Sequence, residues 1–305
     1  MHITRLRTSG TAAVLALAAA AAVSVSAGTA SAAPVSGRAP VRAVVPVAAP
    51  AGSHFSIPAS FRRVTSTALT GFHLVSPAAH RLVGVGVGPN AAAGRSGAQG
   101  TKNTEYSENW SGYVADAGGY TSVLAGWTQP GANCSGTSGL TDAAFWVGLD
   151  GFGSGTVEQT GTDAVCQNGS ASYGAWFEAY PNPSYGYEAT VDPGDQFYAW
   201  VEASGDSYEL VIEDDTQGWY GVQNVTVSGA EDASAEIIAE APSSGGILPL
   251  TNFGNVAFSD AQANGDGFSS LSPIQLDMVS SSGALEAETS ALPSTNAFSV
   301  AWVSE

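Results

Sequence analysis

The sequence predicts an all-β protein whose main domain, residues 103–305, is a two-sheet antiparallel β-sandwich of the concanavalin-like or jelly-roll type with a concave groove. Short runs rich in Val, Thr, Tyr, Phe and Trp recur between clusters of Gly, Pro, Asn, Asp and Ser. No segment shows the apolar period of an amphipathic helix. Strands in such a chain bury their apolar faces when two sheets pack together.

Eleven runs carry the strand pattern, and turn-forming residues separate them. Together they account for one domain, which is predicted to be acidic throughout. In chain order the predicted strands are Trp110–Ala115, Ser122–Thr128, Ala143–Leu149, Ser172–Tyr180, Gln196–Ala203, Ser207–Ile212, Gly221–Val227, Ala235–Glu240, Gly254–Phe258, Ile274–Val279 and Phe298–Val303.

Residues 1–32 have the pattern of a secretory signal peptide. Arg5 and Arg7 supply the positive start, Ala12–Val25 the apolar run, and Ala30–Ala32 the small-residue cleavage pattern. The apolar run is shorter than the roughly 20 residues that span a bilayer, and no later run reaches that length. The sequence therefore predicts a secreted protein without a membrane segment.

Secretion also bears on the two cysteines, Cys134 and Cys166. In an oxidising compartment, two cysteines in one domain more often form a disulfide than stay free. A bridge between them is predicted, with a free buried pair as the alternative.

Residues 33–102 are predicted to be a basic pro-segment and linker. They contain Pro, Ala, Val, Gly and Ser with scattered Arg, and no Asp or Glu. Pro40–Pro50 has the composition of extended or disordered chain, whereas Phe55–Val87 has enough apolar side chains to dock on another surface. Gly88–Gly100 has the composition of a linker and is a suitable place for cutting.

Charge divides the chain at Lys102. All nine basic residues lie at or before Lys102 and all 27 acidic residues lie from Glu105 onward, so the two parts carry formal charges of +9 and −27. The acidic domain has no cation to meet a phosphate, which excludes nucleic acid as its partner. One interpretation is a cationic pro-segment held on the domain by attraction, as its intramolecular inhibitor or chaperone. The alternative is a basic linker beside an acidic domain.

The acidic domain also lacks histidine, since all four histidines lie in the predicted signal peptide or pro-segment. Proton transfer in this domain must therefore use carboxyl, tyrosine or amide groups. In Ala235–Pro242, a strand would place Glu236, Ile238 and Glu240 on one face. A helix would also bring the two glutamates together, but Pro242 and the β-rich neighbours favour a strand.

Other strands place aromatic and acidic side chains together. The side chains that share one face of a predicted strand are Trp146 with Asp150, and Trp176 with Glu178 and Tyr180. The polar stretch Glu158–Gly161, which contains Gln159, lies between these strands in the chain. If these strands neighbour Ala235–Glu240, they line one groove. The alternative is that these aromatic and acidic side chains are ordinary surface and core residues of a sandwich.

Six segments occur in order across Asn109–Ala261. They are Asn109-Trp110-Ser111-Gly112-Tyr113, Trp146-Val147-Gly148-Leu149-Asp150-Gly151, Gln159-Thr160-Gly161, Trp176-Phe177-Glu178-Ala179-Tyr180-Pro181, Pro193-Gly194-Asp195 and Ala235-Glu236-Ile237-Ile238-Ala239-Glu240. In this order they resemble the glutamic peptidases, also called eqolisins. The ordered set is far more specific than any single segment.

The resemblance implies a secreted endopeptidase with a β-sandwich fold, made with a pro-segment and active in acid. By match, the catalytic glutamine is Gln159 and the catalytic glutamate is Glu240. The chain departs from the family at Ile237, where the family carries Trp, and on a strand this side chain faces away from Glu240. The supporting or substrate-groove positions are Trp146, Asp150, Trp176, Glu178 and Tyr180, with Glu236 as a neighbour that shares protons.

Peptide hydrolysis needs a base for water, a donor for the oxyanion and an acid for the departing nitrogen. In this interpretation Glu240 is first the base and then the acid, and the amide of Gln159 donates to the oxyanion. The expected partners are protein or peptide substrates. No metal or other cofactor is expected, and the expected state is a monomer.

Two other function classes remain open. A glycoside hydrolase on a similar sandwich would use Glu178 and Glu240 across a sugar, with Trp146 and Trp176 as stacking platforms. A carbohydrate-binding lectin would need the tryptophans but would tolerate loss of either acid. Metal catalysis is a poor fit, because the acidic domain offers no histidine ligand.

The charge distribution also predicts a pH dependence. A domain with 27 carboxyl side chains and no basic residue brings like charges together when it folds, which raises many carboxyl pKa values. The domain is therefore expected to be most stable in acid and to lose stability toward neutral pH. Added salt is expected to restore part of the loss by screening.

Overall fold

Eighteen β-strands make up nearly all the regular structure in the computed structural model, which describes residues 57–69 and 104–305. The only helical element in these residues is one 3-10 turn, Phe268–Ser270. No helix in the described ranges is long and apolar enough to cross a membrane. The predicted signal peptide, and residues 33–56 and 70–102 of the predicted pro-segment, lie outside the described residues.

Each of the eleven predicted runs coincides with or overlaps a strand, and β4, β5, β13 and β16 have the predicted bounds. In chain order the strands are β1 (Arg62–Arg63), β2 (Ser66–Ala68), β3 (Thr104–Ser107), β4 (Trp110–Ala115), β5 (Ser122–Thr128), β6 (Leu140–Asp150), β7 (Val157–Gln167), β8 (Ser170–Tyr180), β9 (Tyr185–Tyr187), β10 (Gln196–Ser204), β11 (Ser207–Asp214), β12 (Trp219–Thr226), β13 (Ala235–Glu240), β14 (Asn255–Ala263), β15 (Asp266–Gly267), β16 (Ile274–Val279), β17 (Leu285–Thr289) and β18 (Phe298–Trp302).

The strands form two layers that are antiparallel except for two parallel pairings, β3 with β16 and β1 with β12. The first sheet has the order β9-β8-β7-β6-β13-β4-β16. The second sheet has the order β18-β14-β5-β10-β11-β12. Strand β17 pairs with β16 of the first sheet and with β18 of the second, so the hydrogen-bond network continues from one layer into the other. The predicted all-β sandwich is confirmed.

The hydrophobic core lies between the two sheets. On β13, Ile237 and Ala239 point into this core, and the alternate residues Glu236, Ile238 and Glu240 point to the opposite face. Ile237 therefore faces away from Glu240, as expected. Core side chains from both sheets meet here, among them Phe145, Val147 and Leu149 of β6, Trp127 of β5, Phe197 of β10, and Leu210 and Ile212 of β11.

A glycine in the middle of β7 lets this strand pack closely on β6. Gly161 opposes Trp146 in the ladder. An added Cβ at Gly161 would overlap the backbone oxygen of Phe145 and would lie 2.6 Å from the Cβ of Trp146. Neither atom can yield without moving β6, so this position requires glycine.

Gly161→Ala is expected to lower the free energy of unfolding by about 3 kcal/mol, because the methyl group overpacks against backbone. Urea unfolding in acid buffer measures the change. Gly155→Ala is the matched control, since a Cβ there would meet nothing within 4 Å. The control is expected to change stability by less than about 0.5 kcal/mol. Equal losses in the two variants would contradict the packing argument.

The predicted disulfide between Cys134 and Cys166 is present. Cys166 lies near the end of β7, and Cys134 lies in the connection between β5 and β6. The bridge therefore ties this connection to β7 and shortens the freely moving loop of the unfolded chain.

Residues 57–69 add two short strands to the open edges of the sandwich. Strand β1 pairs in parallel with β12, the last strand of the second sheet, and β2 pairs antiparallel with β9, the last strand of the first sheet. The docking that the apolar content of Phe55–Val87 predicts is therefore seen for the described part of that stretch.

Candidate active site

The predicted catalytic side chains share one face of the first sheet. We call it the site face: the face of β13, β6, β7 and β8 that points away from the core. Glu240 opposes Ala144 of β6, and Gln159 opposes Gly148 of the same strand. Glu178 of β8 lies directly opposite Gln159. The ladder thus places one glutamate of β13 and the Gln159–Glu178 pair on the same surface.

Glu240 ends β13 and is 0% exposed. Its Oε2 accepts a hydrogen bond from Trp146 Nε1 at 2.8 Å, and its Oε1 accepts a longer one from Asn109 Nδ2 at 3.4 Å. Burial raises the pKa of Glu240 well above its ordinary value, and the charge of Glu178 raises it further, while donors from Trp146, Trp110 and Asn109 oppose the rise. Glu240 therefore binds a proton more firmly than an exposed glutamate.

Gln159 is buried on β7 and is oriented by the buried Glu178. Its Nε2 donates a hydrogen bond to Glu178 Oε2 at 2.8 Å. The nitrogen of the amide, and not its oxygen, therefore faces the carboxyl group of Glu178. The amide nitrogen carries a second hydrogen. The amide oxygen of Gln159 accepts no hydrogen bond from any described residue. Gln159 therefore keeps one donor and one acceptor for a bound substrate or water.

The indole of Trp146 lies between the two predicted catalytic groups. On β6, Trp146 is flanked on this face by Ala144, which opposes Glu240, and by Gly148, which opposes Gln159. Its Nε1 bonds to Glu240. Its other edge covers Gly148, where an added Cβ would lie 2.9 Å from Trp146 Cζ3 and 3.1 Å from the Cβ of Gln159. One ring thus fixes the orientation of the glutamate and packs beside the glutamine.

Asn109 and Trp110 complete the surroundings of Glu240, a role that the sequence does not predict for them. Trp110 of β4 opposes Glu240 in the ladder and meets the Trp146 ring edge to face, with centroids 5.0 Å apart. Both residues belong to the matched segment Asn109–Tyr113, which was the available signal. The two indoles exclude water from the carboxyl group, which accounts for its burial.

Trp176 and Tyr180 extend the apolar part of the site face along β8. Trp176 is 2% exposed and opposes Gly161, which in turn opposes Trp146. The half-buried Tyr180 packs on the cluster that contains both tryptophans. Both side chains thus belong to the apolar cluster that contains Trp146, and their role in binding substrate stays a prediction.

Asp150 supports the site from the end of β6 and does so through the backbone. Its carboxylate accepts hydrogen bonds from three consecutive backbone N–H groups, those of Glu231 at 2.9 Å, Asp232 at 3.1 Å and Ala233 at 2.6 Å. These residues lead directly into β13. Asp150 therefore holds the entry of the strand that carries Glu240.

Glu236 shares the site face with Glu240 but has different surroundings. Burial raises the pKa of Glu236 well above its ordinary value, and the charges of Asp150 and Glu158 add to the rise. Burial also raises the pKa of Glu158 to about 8, again with a contribution from Asp150. Glu240 instead interacts with Glu178. The two glutamates of β13 thus belong to two separate clusters of interacting carboxyl groups.

A buried aspartate pair, Asp142 and Asp163, was not predicted. Ala144 of β6 lies between Glu240 of β13 and Asp163 of β7 in the ladder. Asp163 therefore lies on the site face, two strands away from Glu240. Burial raises the pKa of Asp163 to about 7, and burial together with the charge of Asp163 raises the pKa of Asp142 well above its ordinary value. Neither residue belongs to a matched segment, so only the strand pairing reveals the pair.

Comparisons with known proteins agree on one family. A family model described as the Peptidase A4 family matches residues 108–302. Aspergillopepsin-2 of Aspergillus niger is 35% identical over 193 residues, covering 55% of this chain and 68% of that protein. Scytalidopepsin B of Scytalidium lignicola is 32% identical over 197 residues, covering 58% and 72%.

A solved structure of scytalido-glutamic peptidase with a transition state analog inhibitor superposes with a TM-score of 0.56 at 25% identity, covering 64% of this chain and 98% of that one. The family match includes every predicted site residue and spans nearly all of residues 104–305. This chain therefore belongs to the Peptidase A4 family and is a glutamic-type peptidase, a hydrolase.

Proposed function

We propose that the protein is a secreted acid endopeptidase in which Glu240 is the general base and then the general acid, and Gln159 stabilises the oxyanion. The observation that carries the proposal is the buried carboxyl group of Glu240, held by Trp146 on the same face as an amide that Glu178 orients. A carboxyl group and a fixed N–H donor meet the needs of peptide hydrolysis in a domain without histidine.

The proposed reaction follows from these roles. The Glu240 carboxylate takes a proton from water while the water oxygen bonds to the peptide carbonyl carbon. The carbonyl electron pair moves onto its oxygen, which accepts the free N–H of Gln159. Glu240 then gives the proton to the peptide nitrogen, the C–N bond breaks, and a carboxyl and an amino product leave. Glu240 returns to its starting state.

Acid working conditions are proposed because the groups available for proton transfer at the site are the carboxyl groups of Glu240 and Glu178. The charge of Glu178 disfavours a second charge at Glu240, so one of the two groups is expected to hold a proton in the working enzyme. The reaction needs Glu240 charged when it accepts a proton, and no imidazole is available to extend that chemistry to neutral pH. The activity is therefore proposed to peak in acid, where Glu178 can hold this proton and Glu240 stays charged.

We also propose protein or peptide substrates, a monomeric enzyme, and release into the medium by the signal peptide at residues 1–32. The basic pro-segment is proposed to act as an intramolecular inhibitor or chaperone. These proposals rest on the leader pattern, on the charge division at Lys102 and on the family.

Gln159→Ala is expected to lower kcat on a peptide substrate by about 10²- to 10³-fold, the usual loss for one oxyanion donor. Glu178→Gln is the matched comparison. It keeps an oxygen acceptor for the Gln159 amide and is expected to lose less activity. The assay uses precursor incubated in acid, checked by N-terminal sequencing, with casein and polysaccharides offered at about pH 3 to 4.

The opposite result supports a different enzyme. This result would be an inactive Glu178→Gln chain, a Gln159→Ala chain of normal activity, and cutting of a polysaccharide. The hypothesis of a glycoside hydrolase with two catalytic carboxyl groups would then replace the peptidase mechanism. Binding of polysaccharide without hydrolysis of either substrate would favour the lectin.

A further inference from the structure

Residues 57–69, which we call the edge segment, bind along both open edges of the sandwich by strand addition. The N–H of Val64 donates to the carbonyl oxygen of Tyr220 at 2.8 Å, on the edge of the second sheet. The N–H of Glu188 donates to the carbonyl oxygen of Thr65 at 2.8 Å, beside the edge of the first sheet. Consecutive residues of one segment thus pair with two different sheets.

Three apolar side chains fix the edge segment to three different apolar surfaces. Val64 is 4% exposed and belongs to the core between the sheets. Ile57 packs on the outer face of the second sheet. Leu69 packs on the site face, in the cluster that contains Trp146 and Trp176. The segment therefore closes the open side of the sandwich and reaches the proposed active site.

Leu69 fills a pocket whose floor is a glycine. Gly186 of β9 opposes Trp176 of β8, so it continues the row of the site face that contains Trp146 and Gly161. An added Cβ at Gly186 would lie 2.5 Å from Leu69 Cδ2. A side chain at this position would take the space that Leu69 occupies. The pocket suits one branched apolar side chain beside Trp176.

Within the described residues, no ion pair holds the edge segment on the sandwich. Arg62 and Arg63 are exposed, and within residues 57–69 and 104–305 neither forms an ion pair with a carboxylate. The side chain of Arg63 donates one long hydrogen bond, at 3.4 Å, to the carbonyl oxygen of Val222. The contacts of the edge segment are backbone pairing and buried apolar groups, both of which survive salt.

We propose that the edges of β9 and β12 together form a binding site for an extended peptide with apolar side chains at the positions of Val64 and Leu69. Its occupant is the edge segment, which stays bound as a separate chain after the linker at Gly88–Gly100 is cut and keeps Leu69 against Trp176. The regulatory part of this inference rests on the proposed function, since a bound segment shields the site face from substrate.

The binding test uses the full chain with Glu240→Gln, which prevents self-cutting, and an enteropeptidase site placed within residues 88–100. After cutting, size-exclusion chromatography with mass spectrometry measures how much of the N-terminal fragment stays on the acidic domain. Retention is expected at both 0.1 M and 1 M NaCl. Leu69→Ala and Val64→Ala are each expected to speed release by about tenfold or more, which corresponds to about 1.4 kcal/mol. Arg62→Gln with Arg63→Gln is the matched control and is expected to change the release rate by less than about twofold.

Release of the fragment by 1 M NaCl, or by the double arginine variant and not by Leu69→Ala, would overturn the proposal in favour of electrostatic docking. Immediate release from the unaltered cut chain would overturn it as well. The same substitutions in the active chain give the second readout, and Leu69→Ala is expected to shorten the delay before casein is cut. If no chain cuts casein, the proposed function fails while the binding result still decides the strand-addition site.

Discussion

Glu240→Gln is expected to lower kcat on a peptide substrate by about 10⁴-fold, because proton transfer contributes about 10²- to 10⁴-fold and Glu240 serves in both directions of transfer. The variant is expected to fold normally. A glutamine oxygen still accepts the hydrogen bond from Trp146 Nε1, and no charge is left without a partner. The measurement is kcat after both the variant and the unaltered chain are cut at an enteropeptidase site placed within residues 88–100, together with the melting temperature at about pH 4.

Glu236→Gln is the matched control for this prediction. Glu236 lies on the same strand and the same face and is equally buried, but its carboxyl neighbours are Asp150 and Glu158. Since Glu236 has no assigned role in proton transfer, a neutral amide of the same size is expected to lower kcat by less than about tenfold. An active Glu240→Gln chain beside an inactive Glu236→Gln chain would transfer the catalytic role to the first glutamate of the strand.

The second large effect is a loss of stability as the pH rises. Burial raises the carboxyl pKa of Glu158 to about 8, of Asp163 and Glu213 to about 7, and of Asp214 and Asp277 to about 6. A group whose folded pKa is raised binds more protons in the native state than in the unfolded state. Its stabilising contribution is therefore complete in acid and is lost as the pH rises through the folded pKa, here between about 4.5 and 8.

The size of this loss is large compared with the stability of a protein. One unit of pKa difference is worth about 1.4 kcal/mol, and total stability is about 5–15 kcal/mol. The fully buried Glu158 alone rises from 4.5 to about 8. The melting temperature is therefore expected to fall by about 10 °C or more between pH 4 and pH 8.

Calorimetry of the processed enzyme across this pH range, at low and high salt, measures the effect. Glu158→Gln is the sharpest variant, since it removes one raised carboxyl and is expected to flatten the loss between about pH 4.5 and pH 8. A melting temperature that is highest at neutral pH would contradict the argument. So would a Glu158→Gln chain with an unchanged pH profile.

The structure changes the expected cause of this pH dependence. From the sequence alone, repulsion among 27 carboxylates is the expected cause of raised pKa values. Burial is instead the largest cause for every carboxyl group in the described residues whose pKa shift is resolved, and like charges, where they contribute, are a smaller cause. Because salt screens charges and does not rehydrate a buried group, it is expected to restore less stability than simple repulsion implies.

The strands that sequence alone predicts are those whose own residues favour extended chain. Trp110–Ala115 and Ile274–Val279 have β-branched and aromatic residues between turn residues, and their bounds are correct. The strand that carries Gln159, Val157–Gln167, was not predicted. It contains Glu, Gln, Gly and Asp, which have low strand propensity. Its extended form depends on long ladders with β6 and β8 on its two sides.

The candidate site shows the same division. Alternation along one strand was enough to place Glu236 and Glu240 on one face. The resemblance points to Gln159, whose catalytic role stays a prediction. Which strands become neighbours depends on pairing between residues far apart in the chain, and no local pattern encodes it. For this reason the contacts of Asn109 and Trp110 with Glu240 became visible only in the structure.

The edge segment has a consequence for digestion by trypsin, which cuts after Lys and Arg. Every such residue lies at or before Lys102, so the acidic domain offers trypsin no cutting position. Arg62 and Arg63 lie in β1, paired with β12. A protease binds its target as a separate extended chain. The peptide bonds after Arg62 and Arg63 therefore become available only when β1 leaves the sheet. Their rate of cutting, compared with that of the other basic positions, therefore reports how often this edge of the sandwich opens.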